Sequence, residues 1–133
     1  REILRGLWET YREIEKNEVR YEEYETADAD LVLVAYGTMG RICRTVVRRA
    51  RKEGLRVGLF RPITLWPFPY EPLRKLSERV PVLLTVELSA GQMWEDVRLA
   101  VEGRAKTPFY GELGGVVPTP DDVLREVRKY VRG

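Results

Sequence analysis

Gly37-Thr38-Met39-Gly40, followed by Arg41, is a tight-turn sequence leading into an arginine-rich segment. Free N–H groups at a helix start, the Thr38 hydroxyl and the Arg41 guanidinium form a set suited to a phosphate or carboxylate. The spacing is GxxG, short of the GxGxxG dinucleotide fingerprint. The commoner use of such glycines is steric, letting the chain turn sharply beside its neighbours. Glu87 ends an apolar run and is the candidate buried acid. It could act as a base or orient a cofactor, but a buried Glu is more often paired, and Arg61 is the candidate mate. Just beyond it, Ser89 and Gln92 fit a capping box. A third constellation, Arg61-Pro62-Ile63-Thr64-Leu65-Trp66-Pro67-Phe68-Pro69, holds three prolines and two large aromatics. Such a loop is stiff and apolar, and Arg with Trp at one place is typical of interface anchors.

What is missing bounds the chemistry further. The 133 residues contain no histidine and one cysteine, Cys43. That excludes a Ser-His-Asp triad, a Cys-His pair and a His-ligated metal. It also excludes an internal disulfide, an iron–sulfur cluster and a multi-cysteine zinc site. Cys43 lies on an apolar stripe and reads as packed and inert. Net charge is +2, so nothing in the whole chain calls for nucleic acid. Residues 41–61 are locally basic, which first of all describes the solvated face of a helix. Few amides and many arginines lean toward a thermophile. No apolar run approaches a membrane span and no signal peptide is visible, so a cytoplasmic location is expected. The chain begins at Arg1 in mid-pattern and reads as an excerpt of a longer protein.

The elements that must position these residues follow from periodicity. Leu31–Tyr36, Val57–Phe60 and Val80–Val86 are continuous apolar runs, and Pro108-Phe109-Tyr110 is a weaker fourth. Continuous character means burial on both faces, as in a parallel sheet covered by helices. The runs recur about every 25 residues, the period of a βα unit. Met39, Ile42, Cys43, Val46, Val47 and Ala50 mark one helix, stopped at Gly54. Met93, Val97, Ala100 and Val101 mark another, ended by Gly103. Thr119-Pro120-Asp121-Asp122 starts a last helix with a Thr cap, Pro at its first position and acids in its first turn. Val123, Leu124, Val127, Tyr130 and Val131 are its expected buried stripe. Ile3, Leu4, Leu7, Trp8, Tyr11 and Ile14 fall on one helical face. Residues 1–29 therefore read as a charged connector helix and linker, and residues 30–133 as an α/β domain.

Taken in order, Tyr36-Gly37-Thr38, the Gly58–Pro69 stretch, Glu87-Leu88-Ser89-Ala90-Gly91-Gln92-Met93 with Asp96-Val97-Arg98, and Gly114-Gly115-Val116-Val117-Pro118-Thr119-Pro120 form a recognisable series. From about residue 30 onward the chain resembles the C-terminal domain of the alpha-type subunit of 2-oxoacid:ferredoxin oxidoreductases, the 2-oxoglutarate and 2-oxoisovalerate types above all. The resemblance implies a three-layer α/β/α sandwich with a mixed, mostly parallel sheet, similar to the transketolase C-terminal domain. It implies an enzyme that oxidatively decarboxylates a 2-oxoacid, forms an acyl-CoA and reduces ferredoxin. Thiamine diphosphate with Mg2+ would lie outside this domain, between the upstream domain of the same subunit and the beta-type subunit. Iron–sulfur clusters would lie in ferredoxin-like partner chains. The resemblance transfers no catalytic residue onto this chain.

Two functions follow. The first is a supporting, non-catalytic domain whose strand-end loops meet the rest of the enzyme, with Arg61, Trp66, Phe68, Gln92 and Met93 as interface candidates. The second is a small anion- or nucleotide-binding module, coenzyme A being the natural ligand, built on Gly37, Thr38, Gly40 and Arg41.

Overall fold

The computed structural model describes residues 11–16, 19–88, 91–111 and 116–132. Six strands form one sheet: β1 (Tyr11–Lys16), β2 (Val19–Tyr24), β3 (Leu31–Ala35), β4 (Val57–Pro62), β5 (Val82–Glu87) and β6 (Phe109–Gly111). Four helices connect and cover them: α1 (Thr38–Lys52), α2 (Tyr70–Ser77), α3 (Gln92–Val101) and α4 (Pro120–Val127). The sheet order is β1-β2-β4-β3-β5-β6. The pairs β4–β3, β3–β5 and β5–β6 are parallel, while β1–β2 and β2–β4 are antiparallel.

The apolar runs are continuous because both faces are covered. Leu31, Leu33 and Ala35 join Cys43, Val46 and Val47 of α1 and Val123, Leu124 and Val127 of α4 in one core. Val32 and Val34 point the other way, into a second core with Leu73 and Leu76 of α2 and Met93 and Val97 of α3. Three layers result. Each fully buried Val, Leu or Phe contributes about 1.5–3 kcal/mol, against about 0–1 kcal/mol for each exposed ion pair. The two cores therefore outweigh the many surface pairs.

Several expectations need correction. Tyr11 and Ile14 lie on strand β1 rather than on a helix, and residues 21–24 belong to β2 rather than to a linker. This hairpin extends the domain's own sheet along β4. Residues 1–10 of the expected helix lie outside the described residues. The connection from β4 to β5 contains α2, which periodicity did not single out. Tyr130 lies past the end of α4 and is 38 % exposed rather than buried.

Two terminal signals hold. The Thr119 hydroxyl accepts from the Asp122 N–H, and the Asp122 carboxylate accepts in return from the Thr119 N–H. Gly54, at φ +84°, follows the C-cap of α1. The basic face of α1 is less solvated than expected. Arg51 reaches Asp28 and the Glu25 carbonyl, Arg49 reaches Asp121, and Arg44 lies over the Tyr24 ring. These arginines tie α1 to the β2–β3 connection and to α4.

Candidate functional site

From β3 the chain crosses to β4 on one side, then returns through α2 to β5 on the other side of β3. The carboxyl ends of β3 and β5 therefore flank a switch point, where open α/β sheets bind ligands. A crevice of about 480 Å3 opens there, walled by Tyr36, Gly37, Thr38, Glu87, Gln92 and their apolar neighbours. Two helices begin at its rim, and their N-termini are treated differently.

At α3 the Glu87 carboxylate accepts from the N–H of Met93 at 3.2 Å and of Trp94 at 2.9 Å. Strand β5 thus supplies its own carboxylate to the positive end of the next helix. The mate expected for Glu87 is engaged elsewhere: Arg61 on β4 pairs with Glu22 on β2 at 3.1 Å. The two residues are direct cross-strand partners in the β2–β4 ladder. Burial pushes the Glu22 carboxyl above its ordinary value, against the opposing pull of Arg61 and then Arg44. The capping box expected from Ser89 and Gln92 is corrected too. The N-cap is Gly91, at φ +96°, with no side-chain cap bond, and Ser89 lies outside the described residues.

At α1 the N-cap is Gly37, at φ +64° and ψ −133°, and no side chain caps the helix. The first turn carries no acid, and the Gly40 N–H is satisfied by the Gly37 carbonyl. Of the four anion candidates, Gly37 and Thr38 line the crevice. Gly40 is buried, and a Cβ there would lie 2.7 Å from the Arg61 Nε. Its lack of a side chain makes room for Arg61. Arg41 is exposed on the outer side of α1.

The loop after β4 is stapled to β2. The N–H groups of Ile63 and Thr64 donate to the Arg20 carbonyl, and the Arg20 N–H donates to the Thr64 hydroxyl. Of the five interface candidates, Trp66 is 94 % exposed and Gln92 is exposed. Arg61 is half-buried in its pair with Glu22. Phe68 and Met93, 5 % and 3 % exposed, belong to the core and shape the surface from beneath. A second hollow of about 430 Å3 lies beside the crevice and shares Leu65 with it. Its walls include Trp66, Tyr70 and Asp96, and the Tyr70 hydroxyl donates to Asp96 at 2.5 Å. That bond holds the Tyr70 hydroxyl above its ordinary pKa. Sequence reasoning missed this pair, because the helix that Tyr70 begins was not read.

Cys43 is fully buried, and burial drives its thiol pKa far upward. Among the described residues no cluster of His, Cys, Asp and Glu could hold a metal ion. Nor is any helix among them long and apolar enough to cross a membrane.

Comparison with known proteins adds the family. The model of pyruvate:ferredoxin oxidoreductase core domain II matches residues 29–123. A ketoisovalerate oxidoreductase subunit VorB from Methanothermobacter marburgensis is 46 % identical over 123 residues, 92 % of this chain and 35 % of that protein. The chain thus spans about a third of that relative's length. A solved 2-oxoglutarate:ferredoxin oxidoreductase from Magnetococcus marinus, with 2-oxoglutarate, coenzyme A and succinyl-CoA bound, shares the fold at TM-score 0.72 and 20 % identity. That match covers 92 % of this chain and 20 % of the solved one. A split-gene transketolase, an inactive beta4 tetramer, shares the fold at TM-score 0.63 and 20 % identity, over 76 % of this chain and 39 % of its own.

Proposed function

The chain belongs to the pyruvate:ferredoxin oxidoreductase core domain II family, and on that premise we propose that it is a supporting, non-catalytic domain of a 2-oxoacid:ferredoxin oxidoreductase subunit. The complete enzyme would oxidatively decarboxylate a 2-oxoacid to an acyl-CoA and reduce ferredoxin. The carbanion chemistry would belong to thiamine diphosphate, with iron–sulfur clusters in partner chains. Two features of the described residues argue against that cofactor here. The charged group lining the switch-point crevice is the Glu87 carboxylate, which repels a diphosphate, and no metal-ligating cluster stands near among the described residues.

One observation carries the proposal. Among the described residues eight large hydrophobic side chains are exposed, and four of them, Tyr36, Leu65, Trp66 and Tyr70, line the two adjoining hollows at the carboxyl end of the sheet. An exposed apolar patch of this kind marks an interaction surface. This end of the domain would face the upstream domain and the beta-type subunit. The test is Trp66→Ala in the full-length subunit, assembled with its partner chains. The expected result is an unchanged melting temperature for the free subunit with assembly weakened at least about tenfold. Assembly at the parental level would overturn the proposal, as would tight thiamine diphosphate binding by residues 1–133 in calorimetry.

A second reading, a coenzyme A-type polyanion on the Gly37–Arg41 turn, rests on the uncapped start of α1. It requires millimolar coenzyme A to raise the melting temperature of the chain.

A further inference from the structure

Charge in this domain is closely matched. Among the described residues Glu25 and Asp28 pair with Arg51, Asp30 with Arg56, Glu53 with Arg128, Glu71 and Glu78 with Arg74, and Asp121 with Arg49. Glu87 faces backbone N–H groups. Two half-buried carboxylates depart from this pattern: Glu23, which accepts from the Thr26 hydroxyl, and Asp96. Asp96 lies on α3 beside the aromatic hollow, and its carboxylate accepts from the Tyr70 hydroxyl. No cation of the described residues reaches it. Arg98, two residues on, lies instead over the Trp94 ring at 4.8 Å. Glu95, exposed beside it, adds charge of the same sign and also forms no ion pair among the described residues.

The hollow that Asp96 borders is aromatic. Trp66 stands almost free of its own chain, Tyr70 is exposed at one wall, and Phe68 forms the floor, its ring 5.1 Å from that of Tyr70 in an edge contact. The Tyr70 bond ties the carboxylate, in the second turn of α3, to the start of α2. Aromatic faces and a carboxylate converging on one hollow suit a cation that is also planar: the faces attract it through their quadrupoles, and the acid neutralises it. A half-buried carboxylate without a counter-charge is costly to cover unless the covering surface brings one.

We infer that this hollow receives an arginine side chain from the part of the enzyme outside this chain, its guanidinium lying against Trp66 and Tyr70 and bonded to Asp96. The inference rests on the interface proposed above and names the chemistry of what docks there. About two thirds of the VorB relative's length lies outside the matched region, which leaves ample protein to supply the arginine.

The test uses the complete enzyme, with sedimentation to measure assembly and Asp96→Asn, Asp96→Arg, Asp96→Glu and Trp66→Ala as variants. Asp96→Asn should weaken assembly at least about tenfold and Asp96→Arg more. Asp96→Glu should retain most of it, and the free variant subunits should melt as the parent does. Acrylamide quenching should show the Trp66 contribution, obtained by difference from Trp66→Phe, exposed in the free subunit and shielded in the enzyme. If Trp66→Ala weakens assembly while Asp96→Asn and Asp96→Arg do not, the interface stands and the arginine is overturned. If none of them weakens it, both fail. Saturable binding of N-acetylarginine amide to the parent enzyme, without loss of assembly in Asp96→Asn, would identify a small-cation site and also overturn the inference.

Discussion

Helices α1 and α3 begin at the two sides of one crevice, each after a parallel strand and each at a glycine of positive φ. At α3 the preceding strand delivers Glu87 onto the first N–H groups, so the helix end is closed from within. At α1 the preceding strand ends at Ala35 and Tyr36 follows, no acid lies in the first turn, and the cation Arg61 packs against Gly40. One end has its counter-charge built in. The other leaves its positive field to whatever lies opposite. Sheet topology places both ends at the switch point, and the residue types decide which of them stays open.

Glu87→Ala should show the largest effect on this contrast. It removes a half-buried carboxylate that accepts two N–H groups, and hydrogen bonds to charged groups are worth about 1.5–3 kcal/mol. We expect a loss of about 2–3 kcal/mol in urea unfolding. A loss below about 0.5 kcal/mol would mean that water serves α3 as well as Glu87 does. Gly37→Ala comes next. A Cβ there meets open space, so the cost is conformational: about 1–2 kcal/mol for holding an L-residue at φ +64° and ψ −133°. Equal stability in the variant would show that the turn relaxes freely and does not define the crevice wall.

The contrast was only half legible in the sequence. Runs such as Leu31–Ala35 were readable because burial on both faces leaves no polar interruption. The hairpin was not, because Tyr11 and Ile14 continue a 3.6-residue spacing that begins at Ile3 and conceals the strand. Missing β2 also hid the true mate of Arg61. Glu22 lies 39 residues away in the chain and becomes its neighbour only through the β2–β4 ladder. Glu87 reads in the sequence as the buried acid with a distant cation as mate; it is half-buried, Glu22 is the more buried acid, and backbone N–H groups six and seven residues on take the Glu87 charge. Helix α2 is short, with Pro72 in its first turn, and its apolar signal reduces to Leu73 and Leu76. The hollow that it helps to build with Asp96 was therefore invisible.

The Arg61–Glu22 pair beside α1 gives a pH test. Burial raises the folded-state pKa of Glu22 above its unfolded value. Its contribution to stability is therefore full below the unfolded pKa of about 4.3, and it is lost as pH rises through the folded value. Glu22→Gln removes that loss. The melting temperature of the variant relative to the parent should climb between pH 4 and pH 7. A flat difference would mean that Arg61 fully offsets the burial. Asp28 has the opposite sign. Its hydrogen bond from Arg51 lowers its pKa, so its contribution is present above the unfolded value and lost in acid. Asp28→Asn should therefore flatten the acid limb of the parent's profile.

Thr38→Asp should have the smallest effect, but it addresses the open helix end directly. A carboxylate in the first turn of α1 meets the uncompensated N-terminal field. That field favours it by about 0.3–1 kcal/mol. Glu87, across the same crevice, opposes it, and its charge is already shared with two N–H groups. The net expectation is a rise in melting temperature of about 1–3 °C that shrinks in 1 M salt, where the Debye length falls to about 3 Å. In Glu87→Ala the same substitution should gain more, because the opposing carboxylate is gone. A gain of equal size in both backgrounds would mean that the two helix ends do not share an electrostatic field, and that the crevice is two separate surfaces.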